Sequence, residues 1–82
     1  QIARGVKMAR PIYEIASEIR RTWKKVNYAA VPYLDAMREI SSIDDNYMYE
    51  SAKEQVIRFL CNAGSYRGDD ARRIKKELRA ML

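Results

Sequence analysis

The chain has 82 residues, 33% charged and 48% hydrophobic, with a net charge of +5. That is enough for one core and too little for two, and too apolar for a disordered chain. The longest uncharged run, 26–34, contains Pro32 and is far short of a membrane span. No apolar stretch follows a basic start, so no secretory signal is expected. The single cysteine, Cys61, excludes an intrachain disulfide framework and a cysteine zinc ribbon, and predicts a reducing, cytoplasmic setting. The chain opens on Gln1; Met8-Ala9 reads as a natural start, which makes residues 1–10 an N-terminal arm and 11–82 the domain.

In chain order, Ile12, Ile15, Ala16, Ile19, Trp23 and Val26 recur at steps of three or four, predicting a helix over 11–26. Pro11 fits its first turn. Ala30, Tyr33, Leu34, Met37 and Ile40 predict a second helix over 30–40, with Pro32 in its first turn and a tight link over 27–30. Residues 41–46 form a polar turn with Ile43 tucked inward. A third helix is expected over 45–63, capped by Asp44 or Asp45, with Met48, Tyr49, Ala52, Val56, Phe59, Leu60 and Ala63 inside and Gly64 as a positive-φ C-cap. A fourth, capped by Asp69 or Asp70, is expected over 69–81, with Ile74, Leu78, Met81 and Leu82 inward. The fold class is all-α, a compact bundle of four short helices, antiparallel because the connections are short.

Charge is sorted along the chain. Residues 1–34 carry seven Lys/Arg against two acids, residues 35–54 two against six, and residues 55–82 seven against three. Acids at helix starts and bases at helix ends suit the helix dipole, and Glu18–Arg21 and Glu54–Arg58 stand at pairing distances. A solvated helical face therefore accounts for the sorting. It does not account for the surplus of five positive charges, which keeps phosphate binding open. The candidate nucleic-acid contacts are Arg20, Arg21, Lys24 and Lys25 at the end of the first helix and Arg72, Lys76 and Arg79 on the fourth. Tyr28, beside Lys24 and Lys25, could stack on a base or cover a core edge. The turn between the third and fourth helices is too long for a helix-turn-helix.

On the third helix, Tyr47, Ile57 and Cys61 fall opposite the apolar stripe. With Glu50, Glu54 and Arg58 around them, and Tyr66 and Arg67 in the following loop, they form the candidate protein interface. The competing reading is that this helix is central and buried on two sides.

Residues of catalysis are scarce. There is no histidine, no Gly-rich phosphate loop and no nucleophile motif. The carboxylate pairs Asp35/Glu39 and Glu50/Glu54 lack the Glu-x-x-His partners of bundle metal sites. Cys61 has no histidine to activate it. No enzymatic activity, cofactor, metal or small-molecule substrate is expected.

The strings ARPIYEIASEIRRTW, NYAAVPYLDAM, SIDDNYMYESAKEQVIRFLCNA and YRGDDARRIKKEL resemble a group of small helical proteins encoded by bacteriophages and prophages, for which no activity is established. The likeness covers residues 8–82, with the Arg67-Gly68 turn its most recognisable piece. It carries over no site residue and implies a context, the bacterial cytoplasm. The expected function is protein–protein binding, through self-association or a host or phage factor; the alternative is nucleic-acid binding through the basic ends of the first and fourth helices.

Overall fold

A computed structural model describes residues 10–48 and 50–82. Residues 1–9 of the predicted arm over 1–10 and the inward placement of Tyr49 lie outside the described residues, as does the side chain of Tyr47. Four helices form, α1 (Ile12–Thr22), α2 (Val31–Met37), α3 (Ala52–Cys61) and α4 (Asp69–Met81), with a hairpin of two-residue strands, β1 (Asn46–Tyr47) and β2 (Glu50–Ser51), ahead of α3. The small all-α fold is the one expected, and α4 has the expected range.

Contacts between the helices fix their directions. Ile12 and Tyr13 at the start of α1 bond to the chain just after α2, while Arg20 reaches Asp35 in the middle of α2. Arg10 pairs with Glu77 and Glu18 with Arg73, so α4 runs back along α1. Asn27 Nδ2 donates to the Asn62 carbonyl, placing the link before α2 beside the segment after α3. Neighbouring helices are thus antiparallel, and the bundle has two ends. One gathers the links over 23–30 and 62–68; the other gathers residues 38–46 and the beginning of α1.

One core joins all four helices. Ile12, Ile15, Ala16, Ile19 and Trp23 meet Ala30, Leu34, Met37 and Ile40 from the second segment, Ala52, Val56, Phe59 and Ala63 from the third, and Ala71, Ile74 and Leu78 from α4. Each fully buried large side chain contributes roughly 1.5–3 kcal/mol. Tyr33 and Ile43 pack against this core from its edge. Trp23 closes one end, edge-on to Phe59 at 6.1 Å and stacked on Tyr66 at 5.1 Å between centroids.

The helices are shorter than their apolar stripes. Trp23 already has an extended backbone, so α1 stops at Thr22 and Val26 lies in the link. There the Asn27 side chain accepts from the Ala29 N–H and donates to Asn62, a local turn that competes with helix. Past α2, Glu39 and Ile40 donate to carbonyls three residues back, a tightened last turn that still buries Ile40. Pro32 stands in the first turn of α2, as expected.

The start of the third helix is the main correction. Residues 45–48, 50 and 51 are not helical: Asn46 pairs with Ser51 and Tyr47 with Glu50, and Met48 takes a φ of +57° and is exposed instead of inward. Asp45 does not cap α3. Its carboxylate accepts from the N–H groups of Ser41 and Ser42, and Asp44 caps nothing. The cap is Ser51, whose hydroxyl accepts from the Glu54 N–H at 3.1 Å. Similarly, α4 is capped by Gly68 without a side-chain bond, and Asp69 and Asp70 stand in its first turn. Positive φ falls at Gly68 (+108°) and not at Gly64, because the turn into α4 is the one that needs it.

Ser51→Ala should therefore lower stability by about 1 kcal/mol, while Asp44→Ala should stay within about 0.5 kcal/mol of the parent. Urea unfolding of both variants distinguishes this start of α3 from one at residue 45.

Candidate functional site

Rotation of α4 is set by Ala71, Ile74 and Leu78, which are buried along one side. At 100° per residue, the positions on either side of that stripe form two flanks. On the flank toward α1, Arg73 pairs with Glu18, and Glu77 receives Arg10 through two hydrogen bonds at 2.8 and 3.0 Å. Arg10 also lies 2.8 Å from Glu18. Glu18 is the most enclosed carboxylate of this ladder, with its side chain 15% exposed. The Arg73 hydrogen bond holds it below the usual carboxylate range against the opposing effect of burial, and Arg10 adds to the lowering. The expected Glu18–Arg21 pair does not form.

The opposite flank carries Arg72, Lys75, Lys76 and Arg79, spread over about 10 Å of helix. Its first member pairs with Asp69, an almost fully exposed contact worth little in water. Among the described residues, no carboxylate lies within ion-pair distance of Lys75, Lys76 or Arg79. The Lys75 ammonium donates to the Tyr66 carbonyl at 2.6 Å and lies 5.8 Å from the Tyr66 ring centre. Burial, then the like charges of Arg79 and Arg67, push it below the ordinary lysine value.

Where this flank meets the loop before α4, Tyr66, Arg67, Gly68, Ala71, Arg72 and Lys75 line a cleft of about 280 Å³ without a carboxylate. Lys24 and Lys25 follow Trp23, whose ring stacks on Tyr66, so these exposed lysines share this end of the bundle. Tyr28 in the same link is 87% exposed.

The predicted nucleic-acid set is thus divided. Arg72, Lys76 and Arg79 share the α4 flank. Arg21, Lys24 and Lys25 are exposed near its N-terminal end, whereas Arg20 is turned to Asp35 of α2 at 2.8 Å. A shallow depression beside it, lined by Arg20, Asp35, Arg38 and Glu39, has its cations matched by Asp35. Lys75 and Arg67 complete the basic surface. The spacing of Lys75 between Arg72 and Arg79 was the signal available for it in the sequence.

The predicted protein interface is divided as well. Tyr66 is only 1% exposed: it stacks on Trp23, and its hydroxyl lies 2.5 Å from that of Thr22. It is a core residue and not part of an interface, because the loop folds its ring inward to close the core end. Its neighbour Arg67 is exposed but belongs to the cleft. On α3, Ile57 and Cys61 are exposed one turn apart. Beside them Glu50 accepts from Gln55 and Arg58, and Arg58 also pairs with Glu54 at 3.3 Å, the spacing expected. These bonds, Gln55's first, hold Glu50 below its usual carboxylate range. Among the described residues no cluster of acids and cysteine is arranged to hold a metal, and no helix is long and apolar enough to cross a membrane.

The sign of the Glu18 effect follows from its lowered pKa. Its contribution is present above the unfolded carboxylate value and is lost as pH falls through the lower folded one. Glu18→Gln should lower unfolding stability at pH 7 by about 1 kcal/mol, with the gap from the parent closing below roughly pH 4. A gap constant across pH would assign Glu18 a packing role alone. No protein-family model matches the chain, and neither a curated protein nor a solved structure is significantly similar to it.

Proposed function

We propose that this chain is a non-catalytic binding protein that holds a nucleic-acid phosphate backbone against the α4 flank. The observation that carries this reading is the separation of charge across α4. Asp70 and Glu77 pair with Arg73 and Arg10 on the side toward α1. On the opposite flank Arg72 has only the exposed Asp69, and Lys75, Lys76 and Arg79 have no carboxylate within ion-pair distance among the described residues. A row of cations along one straight helix matches a row of phosphates, and counterion release makes such binding strongly salt-dependent. Lys24, Lys25 and the exposed ring of Tyr28 extend the surface at its N-terminal end, where an unstacked base has an aromatic face to meet. The resemblance to small phage-encoded proteins supports the bacterial cytoplasm as the setting.

A second reading has its own observation. Ile57, 37% exposed, and Cys61 form a small patch on α3 beside the Glu50–Arg58–Glu54 pairs, which suits a protein contact or self-association.

Binding to a short oligonucleotide should weaken with a log–log salt slope of about −3 to −4, the value for four phosphates. Changing Arg72, Lys76 and Arg79 together to Glu should abolish binding without altering thermal unfolding, since all three are exposed. Unchanged affinity in this variant sinks the nucleic-acid reading. Ile57→Asp should fold normally and leave oligonucleotide affinity unchanged; loss of a self-associated species in sedimentation would favour the protein-contact reading.

A further inference from the structure

We infer that the cleft between residues 64–68 and the beginning of α4 seats a terminal phosphomonoester, the phosphorylated end of a nucleic-acid strand whose backbone continues along the α4 flank. This rests on the nucleic-acid reading proposed above and adds to it a place and an end group.

Three cations reach the cleft from two elements, Arg67 from the loop and Arg72 and Lys75 one turn apart on α4. No carboxylate lines it, and the Arg72–Asp69 pair beside it is solvent-exposed and weak enough to exchange for a phosphate. Two are held before any ligand arrives. Arg67 Nε donates to the Gly64 carbonyl at 3.3 Å, and Lys75 is fixed by the Tyr66 carbonyl. Tyr66 is itself immobilised by its stack on Trp23 and its contact with Thr22. Donors positioned in advance lose less freedom when they bind. Asp69 and Asp70 already stand in the first turn of α4, where they complement its free N–H groups; attraction for an anion comes from the side-chain cations.

The size and charge of the cleft select the group. About 280 Å³ lies just under the range that encloses whole small-molecule ligands, and leaves room for a phosphate with a few waters. A monoester brings a charge of about −1.5 to −2 and three terminal oxygens, one for each cation. A backbone diester brings one charge and two free oxygens. Burial first, and then the like charges of Arg79 and Arg67, hold Lys75 below the ordinary lysine value; a dianion in the cleft offsets that like-charge repulsion. From the cleft, Lys76 and Arg79 lead along α4 in the direction the rest of the strand would take.

The test uses the full chain and fluorescence anisotropy with three single strands: one 5′-phosphorylated, its 5′-hydroxyl twin, and a longer hydroxyl-ended strand of the same total charge. The phosphorylated strand should bind about tenfold more tightly than both others, the effect of one charge-assisted contact. Arg67→Gln, at an exposed loop position, should remove that preference and leave the hydroxyl strand within about twofold. Lys76→Gln should weaken all three strands alike and keep the preference. Equal affinity for phosphorylated and hydroxyl ends overturns the end-group assignment while the backbone reading stands. Failure of every strand to bind overturns both. A phosphoserine peptide bound as tightly as the phosphorylated strand overturns the assignment to a nucleic-acid end.

Discussion

The rotation of α4 about its own axis is the constraint on which the surface depends. Ala71, Ile74 and Leu78 must enter the shared core, and their burial allows one orientation. Once that is set, the remaining positions have no freedom to choose their company. Arg73 meets Glu18 of α1 and Glu77 meets Arg10 just ahead of it, while Arg72, Lys75, Lys76 and Arg79 are turned away. Apolar burial, worth several kcal/mol over three side chains, thereby decides a charge distribution whose own pairings are each worth less than about 1 kcal/mol in water. The basic flank follows from the packing. The ion pairs secure an orientation that the core has already selected.

The same hierarchy explains what could be read from the chain. Apolar residues at helical spacing named nearly every core position, because burial is what that spacing records. Ile12, Ile15 and Ile19, then Leu34 and Met37, then Val56 and Phe59 are all buried as read. Helix ends were less legible, since they turn on single hydrogen bonds. Met48 and Ala52 share a helical face with Val56 on paper, yet Ser51 followed three residues later by Glu54 is a capping signature that starts the helix after Met48. Two short strands then occupy the residues a longer helix would have used.

Site residues were legible in proportion to how local their partners are. The Glu54–Arg58 pair lies within one helix turn and forms. Glu18 and Arg21 stand at a similar local spacing, but Arg73, 55 positions away, and Arg10 take Glu18. Tyr66 looked like a loop residue free to meet a partner. Its burial depends on Trp23 and Thr22 arriving from α1, and no local pattern records that. The basic surface is part local and part not. The Arg72–Arg79 row is visible as a spacing, whereas its junction with Arg67 and Lys24 needs the loop and the end of α1 to meet.

The beginning of α1 holds one more consequence. Pro11 offers no side-chain cap, and the first free N–H groups, those of Ile12 and Tyr13, are satisfied by the carbonyls of Ser41 and Ile40 at 3.0 and 2.8 Å. A helix usually closes its own first turn with a neighbouring side chain. Here the chain must travel through α2 and return before α1 is finished. The two helices are therefore one cooperative unit: a peptide of α1 alone would fray from its N-terminus, and opening the turn after α2 would release both amides to solvent together. Hydrogen exchange at Ile12 and Tyr13 is thus a gauge of a junction nearly thirty residues further along the chain.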